Sequence, residues 1–319
     1  MSQLFLNLLW LLLGIGGLYY GAELLIKGGV TVARKAGVSP LVIGLTLVAF
    51  ATSAPELVVS VSANLDGKPD IALGNIVGSN ICNIILILGL CGCIAPLPVD
   101  KKLFRFDLPV MVISALLLTV FCFKGAEIGR WHGALLFAGL LFYTGWSIYV
   151  SRKENSAAEN EDEKENKEKN ANIFLALLLV CAGLGLLVGG ARLFLKGAVY
   201  TAQLLKISEA VIGLTVVAVG TSLPELATSV VAAVKGEQDI AIGNVVGSNI
   251  FNILGIVGVT TLATPLGNYS INMVDLCVML VCTAILPVFM RTGWKISRIE
   301  GAVMLLAYCG YTAYLICHH

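Results

Sequence analysis

The sequence predicts an all-α polytopic membrane protein of ten transmembrane helices, built as two inverted five-helix repeats. Three observations carry that prediction: a composition too apolar for a soluble globule, apolar runs of spanning length, and a long polar-studded segment that occurs twice. Of 319 residues, 57% are hydrophobic and only 13% charged, too little polar surface to face water on all sides. The net charge of +1 gives no electrostatic footprint for nucleic acid.

A helix crosses ~30 Å of hydrocarbon in about 20 apolar residues. Ten runs qualify: Leu4–Lys27, Leu41–Asn64, Ile71–Leu97, Leu108–Phe123, Trp131–Val150, Ile173–Leu195, Ala210–Val234, Ile240–Pro265, Met273–Phe289 and Ile299–Cys317. The N-terminal run lacks a positive n-region and a small-residue cleavage site, so it reads as a retained first span. Ten spans leave both termini on one side. One set of connections carries Arg34, Lys35, Lys101, Lys102, Arg105, Arg152, Lys153, Lys164, Lys167, Lys169, Lys235, Arg291, Lys295 and Arg298, and the other little beyond Lys68, Lys124, Arg130 and Lys206. The basic side is expected to be cytoplasmic, which puts both termini outside the inner (plasma) membrane.

The duplication fixes the domains. The segment from Ser39 aligns without a gap to that from Ser208, with 33 of 60 positions identical, and Glu225 follows Glu56 by 225 − 56 = 169 positions. The register reaches the preceding spans, where GAELLIKG from Gly21 matches GARLFLKG from Gly190. Each copy holds five spans, an odd number, so the second copy enters the membrane from the opposite side; such inverted repeats are a mark of secondary transporters. The expected units are residues 1–150, a cytoplasmic linker 151–171, and residues 172–319. The linker is mixed in charge, has no apolar face and lacks the spacing of a calcium loop.

Glu56 and Glu225 fall near mid-bilayer, where a carboxylate is costly unless it faces a cavity or a partner. Thr52 and Ser53 precede Glu56 by four and three residues, so all three share a helix face; Thr221, Ser222 and Glu225 repeat the pattern. Pro55 and Pro224 bring no N–H and clash with the carbonyls of Ala51 and Gly220, so each helix must bend. Carbonyls freed inside a membrane are tolerated where they line a cavity or meet a partner. Carbonyls, hydroxyls and carboxylates around one gap are the ligand set of hard cations. The next span supplies a second wall: Asn75, Ser79 and Asn83 recur every four residues, as do Asn244, Ser248 and Asn252. Gly74 with Gly78, and Gly243 with Gly247, allow close helix approach.

The competing reading is that these groups only bind helices together by hydrogen bonds, and it stays open for any single asparagine. Duplication of two glutamates, two breakers and two polar stripes favours a cation site. Elsewhere the bland reading holds. The nine cysteines lie in or beside apolar spans with no CxxC pair, as small packing residues. Asp70 and Asp239 are expected to cap helices, and Glu23 and Lys27 to pair at four-residue spacing. No nucleophile with a base, HExxH or phosphate loop marks an enzyme.

TSAPE with GNIVGSNICN, and TSLPE with GNVVGSNIFN, resemble the paired alpha repeats of the calcium/cation antiporter superfamily, and prokaryotic Na+/Ca2+ exchangers in particular. The resemblance covers nearly the whole chain. It implies a first and a sixth helix that slide across a rigid core, carrying Na+ and Ca2+ as substrates; no cofactor and no protein partner beyond the lipid bilayer is expected, and the protein is expected to be a monomer. It also implies cation-binding roles for Glu56 and Glu225 through carboxylates; Thr52, Ser53, Thr221 and Ser222 through hydroxyls or backbone; Ser79, Asn83, Ser248 and Asn252 through side-chain oxygens; and Ala49 and Ala218 through carbonyls. Glu56, Glu225, Thr52 and Thr221 are the expected metal ligands. Some exchangers carry aspartate where this chain has Asn252, so the centre here has two carboxylates, whose −2 balances one Ca2+. The function expected is Na+/Ca2+ antiport by alternating access, with an H+/Ca2+ antiporter as the alternative and a channel as a remoter one.

Overall fold

The computed structural model describes residues 2–123, 127–158, 172–204, 218–267, 269 and 271–318. It is helical almost throughout: α1 (Ser2–Ala36), the bent pair α2 (Pro40–Thr52) and α3 (Ala54–Leu65), α4 (Pro69–Ile94), α5 (Asp107–Cys122), α6 (Arg130–Ala158), α7 (Ile173–Leu204), α8 (Leu223–Val234), α9 (Gln238–Ala263), α10 (Met273–Arg291) and α11 (Arg298–His318). Among the described residues, seven helices are long and apolar enough to cross a membrane, the bent pair makes an eighth, and α5 and α8 are shorter apolar helices. The first part of the predicted seventh span, 210–217, lies outside the described residues.

Helix ends follow local chemistry. α1 runs past Lys27 to Ala36 because Arg34 and Lys35 in its last turn meet the negative end of the helix dipole. It stops at Gly37, whose φ of 66° is left-handed. Ser39 then caps α2, its Oγ accepting from the Val42 N–H at 3.3 Å, with Pro40 in the first turn. Gly67 and Gly236, both at positive φ, end α3 and α8 at matching positions. Asp70 and Asp239 lie inside the first turns of α4 and α9 rather than capping them: the capping positions are Lys68 and Glu237, neither with a side-chain cap. Acids there still face the positive end of the dipole.

α4 and α9 form the core. The apolar window of α9 is wholly buried and that of α4 largely so, whereas α1, α6, α7, α10 and α11 leave most of theirs exposed, as lipid-facing helices should. Gly243 and Gly247 of α9 press against the α2 backbone; a Cβ on Gly243 would sit 2.6 Å from the Leu41 carbonyl oxygen. The repeat counterparts of that α2 stretch, residues 210–214, lie outside the described residues.

Several contacts occur twice. Tyr143 donates to Asp107 Oδ1 at 2.9 Å, joining α5 to α6, and Tyr311 donates to Asp275 Oδ1 at 2.8 Å, joining α10 to α11. The strand β1 (Leu97–Pro98) pairs antiparallel with β2 (Lys295–Ile296), and a second antiparallel bridge joins Ile128 to Leu266. Leu266 lies 169 positions after Leu97, so the two bridges occupy equivalent places in the two copies. All nine cysteines are free thiols.

α6 continues through the first residues of the predicted linker to Ala158. Tertiary bonds hold it there: Ser151 Oγ accepts from Ser39 N–H at 2.9 Å, and Arg152 Nε donates to the Ala36 carbonyl at 2.9 Å. Residues 159–171 lie outside the described residues.

α1 and α7 pack antiparallel along most of their length. Small residues set the spacing: a Cβ on Gly21 would meet Leu187 N at 2.7 Å, and one on Gly190 would meet Leu18 N at 2.7 Å. Polar contacts add to it, with Asn7 Nδ2 donating to Thr201 Oγ1 at 2.9 Å and the Lys196 ammonium 3.9 Å from the Trp10 ring centre. This pair sits unevenly on the core. α1 packs along α8 and α7 touches it too, but among the described residues neither builds an interface on α3. Ser62 of α3 is exposed, whereas its repeat counterpart Val231 is buried. Glu23 does not pair with Lys27, which is exposed; its Oε1 takes the Lys235 ammonium at the end of α8.

Candidate cation site

The bends fall where the prolines require. α2 and α3 meet at 45°, and the break residue Ser53 has φ −83° and ψ 4°, matched by Ser222 at φ −87° and ψ 9°. Pro55 and Pro224 offer no N–H to Ala51 and Gly220, so the turn before each glutamate is opened by covalent chemistry. Glu56 and Glu225 then lie in the first turns of α3 and α8, where the helix dipole favours an anion. Both are completely buried.

The two bends are joined crosswise. Ser53 Oγ donates to Glu225 Oε1 at 2.8 Å, and Ser222 Oγ donates to Glu56 Oε1 at 3.2 Å. Ser222 also meets Ser79 Oγ at 3.3 Å. Thr52 Oγ1 donates to Asn244 Oδ1 at 3.0 Å, and Thr221 Oγ1 to Asn75 Oδ1 at 3.2 Å. Each half thus supplies the hydroxyls that orient the acid and the amide of the other half. A hydroxyl has one proton and two lone pairs. When the proton points at a neighbouring oxygen, the lone pairs are left to face a cation.

Several buried atoms of the predicted ligands have no hydrogen-bond partner. Glu56 Oε2, Glu225 Oε2, Ser248 Oγ and both amide atoms of Asn83 and of Asn252 are buried with no hydrogen-bond partner. A buried polar atom left unmade is expensive, and these belong to residues singled out in the sequence as ligands. Unpartnered buried atoms also occur on Asn7, Ser147, Thr228, Asn249 and Thr260, so what distinguishes this set is that it falls on the predicted ligands in both halves. Asn83 and Asn252 fall on π-helical turns, Cys82–Ile87 and Phe251–Val257, a widening often found at functional sites. Two carboxylates are the acids of this cluster; among the described residues no group of three or more His, Cys, Asp or Glu side chains meets.

The carbonyl expectations fare differently. The Ala49 oxygen already accepts from Ser53 N–H at 3.0 Å and has Thr52 Oγ1 3.3 Å away, so a cation would have to share it. Ala218 opens the short turn Ala218–Gly220, and its side chain lies outside the described residues.

Asn75 and Asn244 prove to be struts. Asn75 Nδ2 donates to Ser60 Oγ at 2.9 Å and the Glu56 carbonyl at 3.3 Å; Asn244 Nδ2 donates to Ser229 Oγ at 2.9 Å and the Glu225 carbonyl at 3.4 Å. Each amide fixes the helix that carries a glutamate and orients a threonine from the other half. The four-residue spacing put them beside the site, but only the tertiary structure separates strut from ligand. Replacing Asn244 with leucine is expected to strand both partners and lower stability by about 1–3 kcal/mol, measured as earlier thermal unfolding in detergent.

Comparison with known proteins follows the same lines. The family model for sodium/calcium exchanger proteins matches twice, over residues 6–149 and 175–317. The sodium/calcium exchanger MaX1 of Methanosarcina acetivorans is 35% identical over 97% of this chain and 98% of its own length. The inner membrane protein YrbG of Escherichia coli is 35% identical over 80% of this chain and 79% of its own. Among solved structures, the sodium-calcium exchanger NCX_Mj soaked without Na+ and Ca2+ matches with a TM-score of 0.82 and 35% identity, covering 98% of this chain and 99% of that one.

Proposed function

The chain belongs to the sodium/calcium exchanger protein family, and from that premise we propose that it exports Ca2+ in exchange for Na+ by alternating access at the Glu56–Glu225 site. The observation that carries this reading is the set of unpartnered buried oxygens on Glu56, Glu225, Ser248, Asn83 and Asn252, in which each glutamate's other oxygen is bonded across the halves. Glu56 and Glu225 act as charged ligands; Thr52, Ser53, Thr221, Ser222, Ser79 and Ser248 offer hydroxyl oxygens; Asn83 and Asn252 offer amide oxygens; and Ala49 and Ala218 offer carbonyls.

The chain crosses the inner membrane ten times in two inverted halves, residues 1–150 and 172–319, joined by the cytoplasmic segment 151–171. The duplicated bridges and Asp–Tyr pairs support the two halves. Basic loops gathered on one face support the orientation: Lys102 pairs with Glu154 at 2.6 Å, and Lys101 lies 4.8 Å from the Trp294 ring centre. That face is cytoplasmic by the positive-inside rule, so both termini lie outside. The protein works as a monomer. Two carboxylates balance one Ca2+ or two Na+, and a neutralised site crosses the closed, low-dielectric state most cheaply.

Proteoliposomes decide the coupling ion. An imposed Na+ gradient is expected to drive Ca2+ flux that a pH gradient alone does not. Flux driven by pH alone would reassign the protein as an H+/Ca2+ antiporter, and flux with neither ion would make it a channel.

A further inference from the structure

The uneven seating of the α1–α7 pair shows what the symmetric site does not. The pair leans on α8 and, among the described residues, builds no interface on α3, and the Glu23–Lys235 ion pair sits at the α8 end. The repeat register carries Glu23 onto Arg192 and Lys235 onto Asp66, each displaced by 169 positions. The second set has the same layout with both charges reversed. Arg192 and Asp66 are exposed, and their side chains have no ion pair among the described residues. We propose that Glu23–Lys235 and Arg192–Asp66 are two alternative latches, one closed in each of the two access states, so that these four residues set which side of the membrane the site faces. The inference rests on the alternating-access reading above.

Geometry carries it. α1 and α7 are packed too closely to move apart, since the seam meets at glycine backbones, so a shift of one shifts the other. Exchanging the roles of the two halves turns packing of α1 on α8 into packing of α7 on α3, and that brings Arg192 to Asp66 as Glu23 leaves Lys235. Because the pair is one body, both latches cannot be closed together. Charge reversal adds direction: the moving pair is negative at one latch and positive at the other, so neither partner on the core binds the wrong group.

Strength fits the role. Glu23 and Lys235 are 36% and 35% exposed, and such ion pairs are weak. A weak latch shifts a two-state equilibrium a few-fold without trapping it, which a cycling transporter requires.

The test is charge reversal, read two ways. In oriented vesicles, Lys235→Glu is expected to change the ratio of apparent Ca2+ KM values on the two faces about three- to tenfold, weakening binding from the α3 side. The swap Glu23→Lys with Lys235→Glu should restore the ratio, and Asp66→Lys should move it the other way. In detergent, hydrogen–deuterium exchange of Lys235→Glu should show greater protection over residues 54–65 and less over 223–234, and adding Asp66→Lys should reverse both changes. Unchanged protection, a shift in the same direction from Asp66→Lys, or a swap that fails to restore the pattern would overturn the latches. The exchange arm needs no transport, so a wild type that moves no Ca2+ would count against antiport alone, leaving the latches to be judged by protection.

Discussion

Glu56→Gln is expected to reduce Na+-driven Ca2+ flux at least about 100-fold, and Glu225→Gln to do the same. Glutamine keeps the side-chain oxygen that receives the Ser222 or Ser53 proton, so the crosswise bonds and the fold survive while the site loses one negative charge. With one carboxylate remaining, a dehydrated Ca2+ would cross the closed state uncompensated in low dielectric, where an unpaired charge is most costly. Equal loss at both positions follows from the duplication, since each acid has the same burial and the same type of partner. Without cation the variants should be at least as heat-stable as the parent, because one of two buried acids is replaced by a neutral amide. Added Ca2+ should stabilise only the parent, as ligand linkage demands. Flux in proteoliposomes and thermal unfolding with and without Ca2+ check both halves of the prediction; near-normal exchange in both variants would remove these glutamates from the site.

What could be read in the sequence was whatever covalent chemistry or periodicity fixes locally. The bends at Pro55 and Pro224, the buried glutamates one residue later and the four-residue stripes are such features, and the duplication supplied their register. Pairings between halves were not legible. Thr52, Ser53 and Glu56 share a face, which suggests local bonds, yet the Ser53 proton goes to Glu225 and that of Thr52 to Asn244. Glu23 shows the same limit. Lys27, four residues on, is its helical neighbour, but Lys235 is presented by a packed helix and wins, because an exposed i,i+4 pair is worth only a few tenths of a kcal/mol. The continuation of α6 beyond Val150 has a similar origin, since its polar residues bond to the loop after α1.

The seam between α1 and α7 sets up a contrast within one helix turn. Gly183→Leu is expected to destabilise the protein strongly, while Gly185→Leu, two residues on, should be nearly neutral. A Cβ on Gly183 would lie 2.6 Å from Leu25 N and 2.7 Å from the Gly21 oxygen, whereas nothing lies within 4 Å of one on Gly185. The obstacles at Gly183 are backbone atoms, which cannot swing aside, so a leucine must separate the helices or unwind one. In a membrane this is severe, since helix association there depends on van der Waals contact and not on exclusion of water. Overpacking usually costs about 1–3 kcal/mol, and a seam formed by backbone contact along two long helices should sit at or above the top of that range. Thermal unfolding of the two variants in the same detergent provides the comparison. Similar melting would mean that the helices are not held by close approach, and the premise that α1 and α7 shift as one body would go with it.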